Sequence, residues 1–226
     1  MFYDLLYNLS IWILPVATAI TFHEAAHGYV AFKLGDNTAK TLGRVTFNPV
    51  RHIDIWGTLI IPAILFFLKS PFLFGWAKPV PIVFSQLRKP KRDMILVAVS
   101  GPAINLLIAL TCGFILHIVF ILPNGIQNWV IQNLQNAIFI NIMLSFFNML
   151  PIPPLDGGRI AIGLLPEPFS SLLSGLERFG ILILLSILII LPWLISIMGF
   201  DFKLVRWLLL EPVWLIIEMI GYLSGN

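Results

Sequence analysis

His23, Glu24 and His27 stand together in the stretch His23-Glu24-Ala25-Ala26-His27, residue types and a spacing suited to metal chemistry. Positions four apart on a helix lie nearly one above the other, so the two imidazoles can hold a single metal ion. Glu24 projects beside them, placed to take a proton from a water molecule activated by that metal. Chance produces the pattern in roughly one or two of every thousand shuffles of such a composition, so alone it is suggestive. A helical histidine pair also serves proton relays and haem ligation between paired helices, and on the motif alone these readings stay open.

The element that carries the motif is expected to cross a membrane. Between Asp4 and Lys33 the only charged residue is Glu24, which predicts a first span over about residues 5–32. Of 226 residues, 58% are hydrophobic and 11% charged, and the mean hydropathy is +0.93. An ordinary soluble domain carries about 25% charged residues. A soluble fold cannot hide that much apolar surface, so lipid must be part of the solvent. The net charge of +3 sits in short basic clusters between apolar runs, a pattern that reports orientation and gives no reason to expect a nucleic-acid partner. Cys112 is the single cysteine. It leaves no disulfide framework within the chain and reads as a small buried apolar side chain. The N-terminus lacks a basic n-region, so the first span is expected to stay in the mature protein.

Further spans follow from the charge pattern. No Asp, Glu, Lys or Arg occurs from Met94 to Leu155, which predicts spans over about 94–121 and 135–150 joined by a polar turn at 122–134. The uncharged run Phe179 to Phe200 predicts another. In the tail from Lys203 to Tyr222, Trp207 and Trp214 share one helix face, as do Glu211 and Glu218. That tail either crosses the bilayer or lies along it. Loops 33–55 and 75–93 are rich in Lys and Arg and are expected on the cytoplasmic side, with the 122–134 turn outside. This requires that the short apolar run Gly57–Leu68, broken by Pro62, does not cross fully and forms a re-entrant or partly buried element instead.

A catalytic two-histidine site needs a third ligand and keeps one position open. His52, beside Arg51 in a basic loop, and His117, toward the outer end of its span, read as interfacial polar residues. Asp156 is the better candidate, as the only acid between Asp93 and Glu167. Depth agrees: His27 lies about 9 Å from the basic end of its helix, and Asp156 lies three residues before Arg159 on the same side. Alone, Asp156-Gly157-Gly158 would read as a plain cytoplasmic turn.

Taken jointly, these residues resemble the site-2 protease family of intramembrane zinc metalloproteases. His23-Glu24-x-x-His27 matches its first motif and Asn148-x-x-Pro151-x-Pro-x-Leu155-Asp156-Gly157 its second. Ser100-Gly101-Pro102-Ala-Ile-Asn105 is similar to a third pattern. The resemblance implies an all-α polytopic membrane protein, a bundle of about 4–6 transmembrane helices with a small membrane-associated β-element over Gly75–Phe84. It implies one integral membrane protease domain over 1–226, with a core at 5–165 and accessory helices at 166–226. One Zn2+ per chain would be held by His23, His27 and Asp156, with Glu24 as general base. Asn148 would position the substrate or polarise its carbonyl, and Asn105 and Pro151 would help bind it. Expected partners are transmembrane protein substrates and the lipid bilayer, and the expected location is the cell membrane, multi-pass, with the site in the cytoplasmic half. No PDZ or CBS module is expected within these 226 residues to filter substrates. The alternative from another class is a membrane metal-binding or ion-transport protein using the same ligands.

Overall fold

The chain is described by a computed structural model over residues 2–67, 75–190, 194–195, 197–198 and 210–225. Its helices are α1 (Phe2–Lys33), the short α2 (Thr38–Thr41), α3 (Ile61–Phe67) entered through a π-helical segment at Ile55–Ile60, α4 (Pro90–Leu116) and α5 (Asn124–Asn148). They continue as α6 (Asp156–Leu164), α7 (Phe169–Leu176), α8 (Gly180–Leu185) and α9 (Glu211–Ser224). Among the described residues α1, α4 and α5 are long and apolar enough to cross a membrane by length and composition. The expected spans over Phe179–Phe200 and Lys203–Tyr222 fall partly outside the described residues, Trp207 among them.

The middle of the bundle is α4, which packs against α1, α5, α6 and α9. Its inner face is lined by small residues. Ala109 and Cys112 meet Ile138 and Ile142 of α5 and Val213 and Ile220 of α9 in a continuous apolar core. Cys112 is thus the buried apolar side chain its surroundings predicted. The turn before α5 is shorter than the sequence suggests, because the polar stretch 124–134 is helical. Its amides and indole find partners that make a helix affordable there. Gln127 donates to the Leu122 carbonyl at 2.7 Å, Trp129 to the Ser10 hydroxyl at 2.8 Å, and nearby Asn136 to the Ile11 carbonyl at 2.9 Å.

Helix α1 ends in a Schellman turn. The Asp36 N–H reaches the Ala31 carbonyl at 3.0 Å and the Gly35 N–H that of Phe32 at 3.3 Å. Gly35 stands at φ +118°, a conformation open to glycine. Beyond it the chain goes out and comes back. The N–H of Trp76 donates to the Gly57 carbonyl at 3.1 Å, so the excursion through α3 returns to its own starting point. Arg44 donates to the Lys78 carbonyl at 2.7 Å, and Lys78 N–H donates to His52 at 2.9 Å. The two basic loops therefore lie together; Leu68, the end of the short apolar run, lies outside the described residues.

Residues 75–83 run as a strap without regular secondary structure, and no strand occurs among the described residues. The expected β-element is absent there for a physical reason. Pro79 and Pro81 have no N–H to offer a ladder. The N–H groups of Trp76, Lys78, Val80 and Val83 go instead to separate acceptors: Gly57, His52, Glu24 and Asp36.

Asp36 anchors the end of this strap. It is fully buried, and its two oxygens accept the N–H groups of Thr38 at 2.9 Å and Val83 at 2.7 Å. Burial pushes its carboxyl up, but the hydrogen bonds from Thr38 and Val83 outweigh that and hold it below the ordinary carboxylate range. A depressed folded-state pKa means that this stabilisation is complete above about pH 4, the unfolded value, and is lost as pH falls through the folded value. Asp36→Ala should cost about 1–3 kcal/mol by stranding two donors. Hydrogen exchange read at the Val83 amide should rise sharply in the variant. In the wild type it should stay protected at pH 5.

Candidate metal centre

His23 and His27 rise on one face of α1, both buried. Asp156 opens α6 and is buried beside them, brought there by the turn after α5. That turn is tight enough to need glycine at both following positions. A Cβ on Gly158 would lie 2.7 Å from the Ile152 carbonyl carbon, and one on Gly157 would strike the carbonyls of Met149 and Leu150. The result is a close triangle. The two Nε2 atoms are 3.0 Å apart, and Asp156 Oδ2 lies 3.1 Å from His23 Nε2 and 3.3 Å from His27 Nε2.

The hydrogen bonds behind the rings decide what those atoms offer. His27 Nδ1 lies 2.7 Å from the Val97 carbonyl, which can only accept, so Nδ1 carries the proton. His23 Nδ1 lies 2.6 Å from the Asn105 side-chain oxygen and is likewise the donor. Both Nε2 atoms then present lone pairs to each other and to Asp156 Oδ2, a buried oxygen without a hydrogen-bond donor. Three electron-rich atoms this close repel unless a cation or added protons sit among them. The donor set suits zinc, and metal–ligand bonds of about 2.0–2.1 Å in a tetrahedron give edges of roughly 3.3 Å.

Helix α4 leaves room for such an ion. Gly101 faces the imidazoles, and a Cβ there would lie 2.6 Å from His23 Cε1 and collide with His27 Nε2. Val97, Gly101 and Asn105 thus form one stripe of α4: an acceptor for His27, a gap, and an acceptor for His23. Glu24, half-buried one residue along from His23, accepts the N–H of Val80 at 2.8 Å through Oε2.

The structure brings together His23, His27 and Asp156, as expected from their spacing and depth. It places other candidates elsewhere. Asn105 has no exposed surface. Its oxygen faces His23 and its nitrogen donates to Ala19 and Asn141, so it stands behind a histidine and offers nothing for a substrate to touch. Asn148 ends α5, half-buried, with its amide nitrogen 2.9 Å from the Leu144 carbonyl of its own helix. Pro151 is exposed on the turn between α5 and α6. His52 is buried rather than interfacial, held by the Thr46 carbonyl at 3.0 Å, and His117 stands against the Ser224 carbonyl near the end of α9. Gly101 and the Val80 N–H were not legible as site groups. The signal for Gly101 was its place inside a recognised pattern, four residues before Asn105.

Comparison with known proteins assigns the class. "Putative zinc metalloprotease YwhC" of Bacillus subtilis is 35% identical over 188 residues, covering 80% of this chain and 82% of that protein. "Putative zinc metalloprotease Rip2" of Mycolicibacterium smegmatis is 29% identical over 205 residues, covering 88% and 74%. "Putative zinc metalloprotease MJ0611" of Methanocaldococcus jannaschii is 29% identical over 172 residues, covering 74% and 76%. The family model described as Peptidase family M50 matches residues 115–191. The chain belongs to this family, that of the site-2 proteases. No solved structure matches it.

Gly101→Ala tests the gap. Alanine favours a helix by about 0.8–1.0 kcal/mol over glycine, so helix content by circular dichroism should hold. Zinc measured by elemental analysis of the purified chain should fall from near stoichiometric to near background.

Proposed function

We propose that this protein is a zinc-dependent intramembrane endopeptidase that hydrolyses peptide bonds in or near transmembrane segments of other proteins. The observation that carries the reading is the buried triangle of His23 Nε2, His27 Nε2 and Asp156 Oδ2 with Glu24 next along the same helix. Family membership and the names of the relatives support the same chemistry. The site belongs to a multi-pass protein of the cell membrane and lies in the cytoplasmic half, close to the basic end of α1. The substrates are membrane proteins with a segment that can unwind beside the strap.

His23, His27 and Asp156 would hold the zinc ion. Bound zinc supplies Lewis acidity toward a water molecule and toward the scissile carbonyl. Glu24 accepts the proton of the attacking water and returns it to the leaving amine. The Val80 N–H fixes one carboxylate oxygen of Glu24 and so limits how the base can turn. Asn148, at the mouth of the turn that leads to Asp156, can rotate its amide from the Leu144 carbonyl to the substrate carbonyl and polarise it. The fold keeps water scarce around these groups, since both histidines and the aspartate are buried.

Cleavage of a panel of single-span membrane proteins in liposomes tests this. Wild type should cut at least one of them, and a zinc chelator should stop it. Glu24→Gln should retain one zinc per chain and lose roughly 10²- to 10⁴-fold in rate, the share of a positioned acid–base group. Equal cleavage by wild type and Glu24→Gln at matched zinc would refute the assigned base. Zinc moved across the bilayer by both proteins, with no cleavage, would favour a transporter.

A further inference from the structure

Two amides lie buried where α4 and α5 meet beside α1. Asn105 of α4 and Asn141 of α5 each have no exposed surface. Burying an amide is costly unless its groups are hydrogen-bonded, and here the bonds run in one direction. Asn141 Nδ2 donates to the Ala137 carbonyl of its own helix at 2.8 Å. A backbone carbonyl can only accept, so Asn141 must turn its side-chain oxygen toward α4. That oxygen receives Asn105 Nδ2 at 2.6 Å, a shorter contact than the 3.2 Å from the same nitrogen to the Ala19 carbonyl. Asn105 must therefore turn its own oxygen toward α1, where it lies 2.6 Å from His23 Nδ1. The proton of His23 is drawn to Nδ1, and Nε2 is left bare toward His27 and Asp156.

We propose that Asn141 is a positioning residue for the metal centre: through Asn105 it sets the tautomer of His23. This rests on the reading of His23 as a zinc ligand. The reverse orientation shows what is at stake. If Asn105 flips, its NH2 group faces His23 Nδ1, which must then accept, and the proton moves to Nε2 where the metal would bind. His27 does not depend on this relay, because the Val97 carbonyl holds its Nδ1 directly. The two ligands of one helix thus have separate tautomer controls, one a backbone carbonyl and the other a pair of amides reaching across two helices, to which the Ala19 carbonyl adds a longer contact in the same sense. Losing the group that hydrogen-bonds the far nitrogen of a ligating histidine commonly costs 10- to 100-fold in metal affinity.

The test uses the full-length chain in lipid nanodiscs, as wild type, Asn141→Leu and the double variant Asn105→Asp/Asn141→Leu. Zinc affinity is measured by competition with a chromophoric chelator. The tautomer of each histidine is read from 15N shifts of the 15N-histidine-labelled, metal-stripped protein, which has four histidines to assign. Asn141→Leu should weaken zinc binding roughly tenfold or more and move His23 toward the Nε2-protonated form. His27 should stay as it was. The double variant should recover affinity and the Nδ1-protonated form, since a carboxylate at 105 accepts from His23 whichever way it turns. An unchanged His23 spectrum with wild-type affinity in Asn141→Leu would overturn the proposal. So would a loss that the aspartate does not restore, accompanied by equal changes at His27, which would mark Asn141 as a packing residue. If wild type bound no zinc, the zinc-site reading would fall, and the His23 spectrum would still decide whether Asn141 sets its tautomer.

Discussion

Three lone-pair-bearing atoms within 3.0–3.3 Å of one another, on side chains buried in the protein, form an arrangement that is repulsive as it stands. Every element around them exists to hold that arrangement or to make room at its centre. Helix α1 sets two imidazoles one turn apart and edge to face, and the double-glycine turn brings a carboxylate alongside. The acceptors behind each ring keep the protons away from the centre. Such a cluster is tolerable in a low-dielectric interior only with positive charge among its members. The donor chemistry thus points to a cation, and the family of the chain points to zinc-type proteolysis.

The second constraint is imposed by lipid. Irregular backbone is tolerated at membrane depth only where protein or a water-filled cavity satisfies it. The segment after α2 runs back along α1, with Val45 and Val80 both packed over Gly28. A Cβ on that glycine would lie 3.0 and 3.1 Å from their side chains. Further along, Phe47 stacks on Phe22 with ring centroids 4.6 Å apart. The strap lies here too, and its N–H groups are satisfied one at a time by a loop, a helix end and two acids of α1 and its exit. One of those acids is Glu24. The residue assigned to proton transfer therefore has a structural duty as well, holding irregular backbone against the first helix.

Much of the centre was legible because its residues obey simple spacing. His23 and His27 are four apart on a helix, and Asp156 is an isolated acid in a long uncharged run, so type and position select them. The long apolar helices α1 and α4 were legible from charge alone. Groups that act through the backbone were not. The Val80 N–H and the Val97 carbonyl have no side-chain signature, and a glycine that matters for what it lacks looks like any other glycine. Asn105 carried a family signal but its partners were not legible, because sequence cannot tell an amide that faces a cleft from one that faces a ring. Asn141 could have been flagged: it lies seven residues before Asn148, on the same face of an apolar helix. The expected strand failed for want of donors at Pro79 and Pro81, and the start of α5 was misplaced because its polar residues bond to α1 and to the preceding turn.

The stripe on α4 has one more consequence. Val97, Gly101 and Asn105 are spaced by four, so they share one azimuth on their helix. A one-residue rotation of that helix, about 100°, would carry all three away from α1 together. An insertion outside the interval 97–105 keeps them in phase with one another, and one inside it splits them. A turn of the whole helix therefore withdraws every support at once, whereas an insertion between 97 and 105 withdraws the support of one imidazole and spares the other.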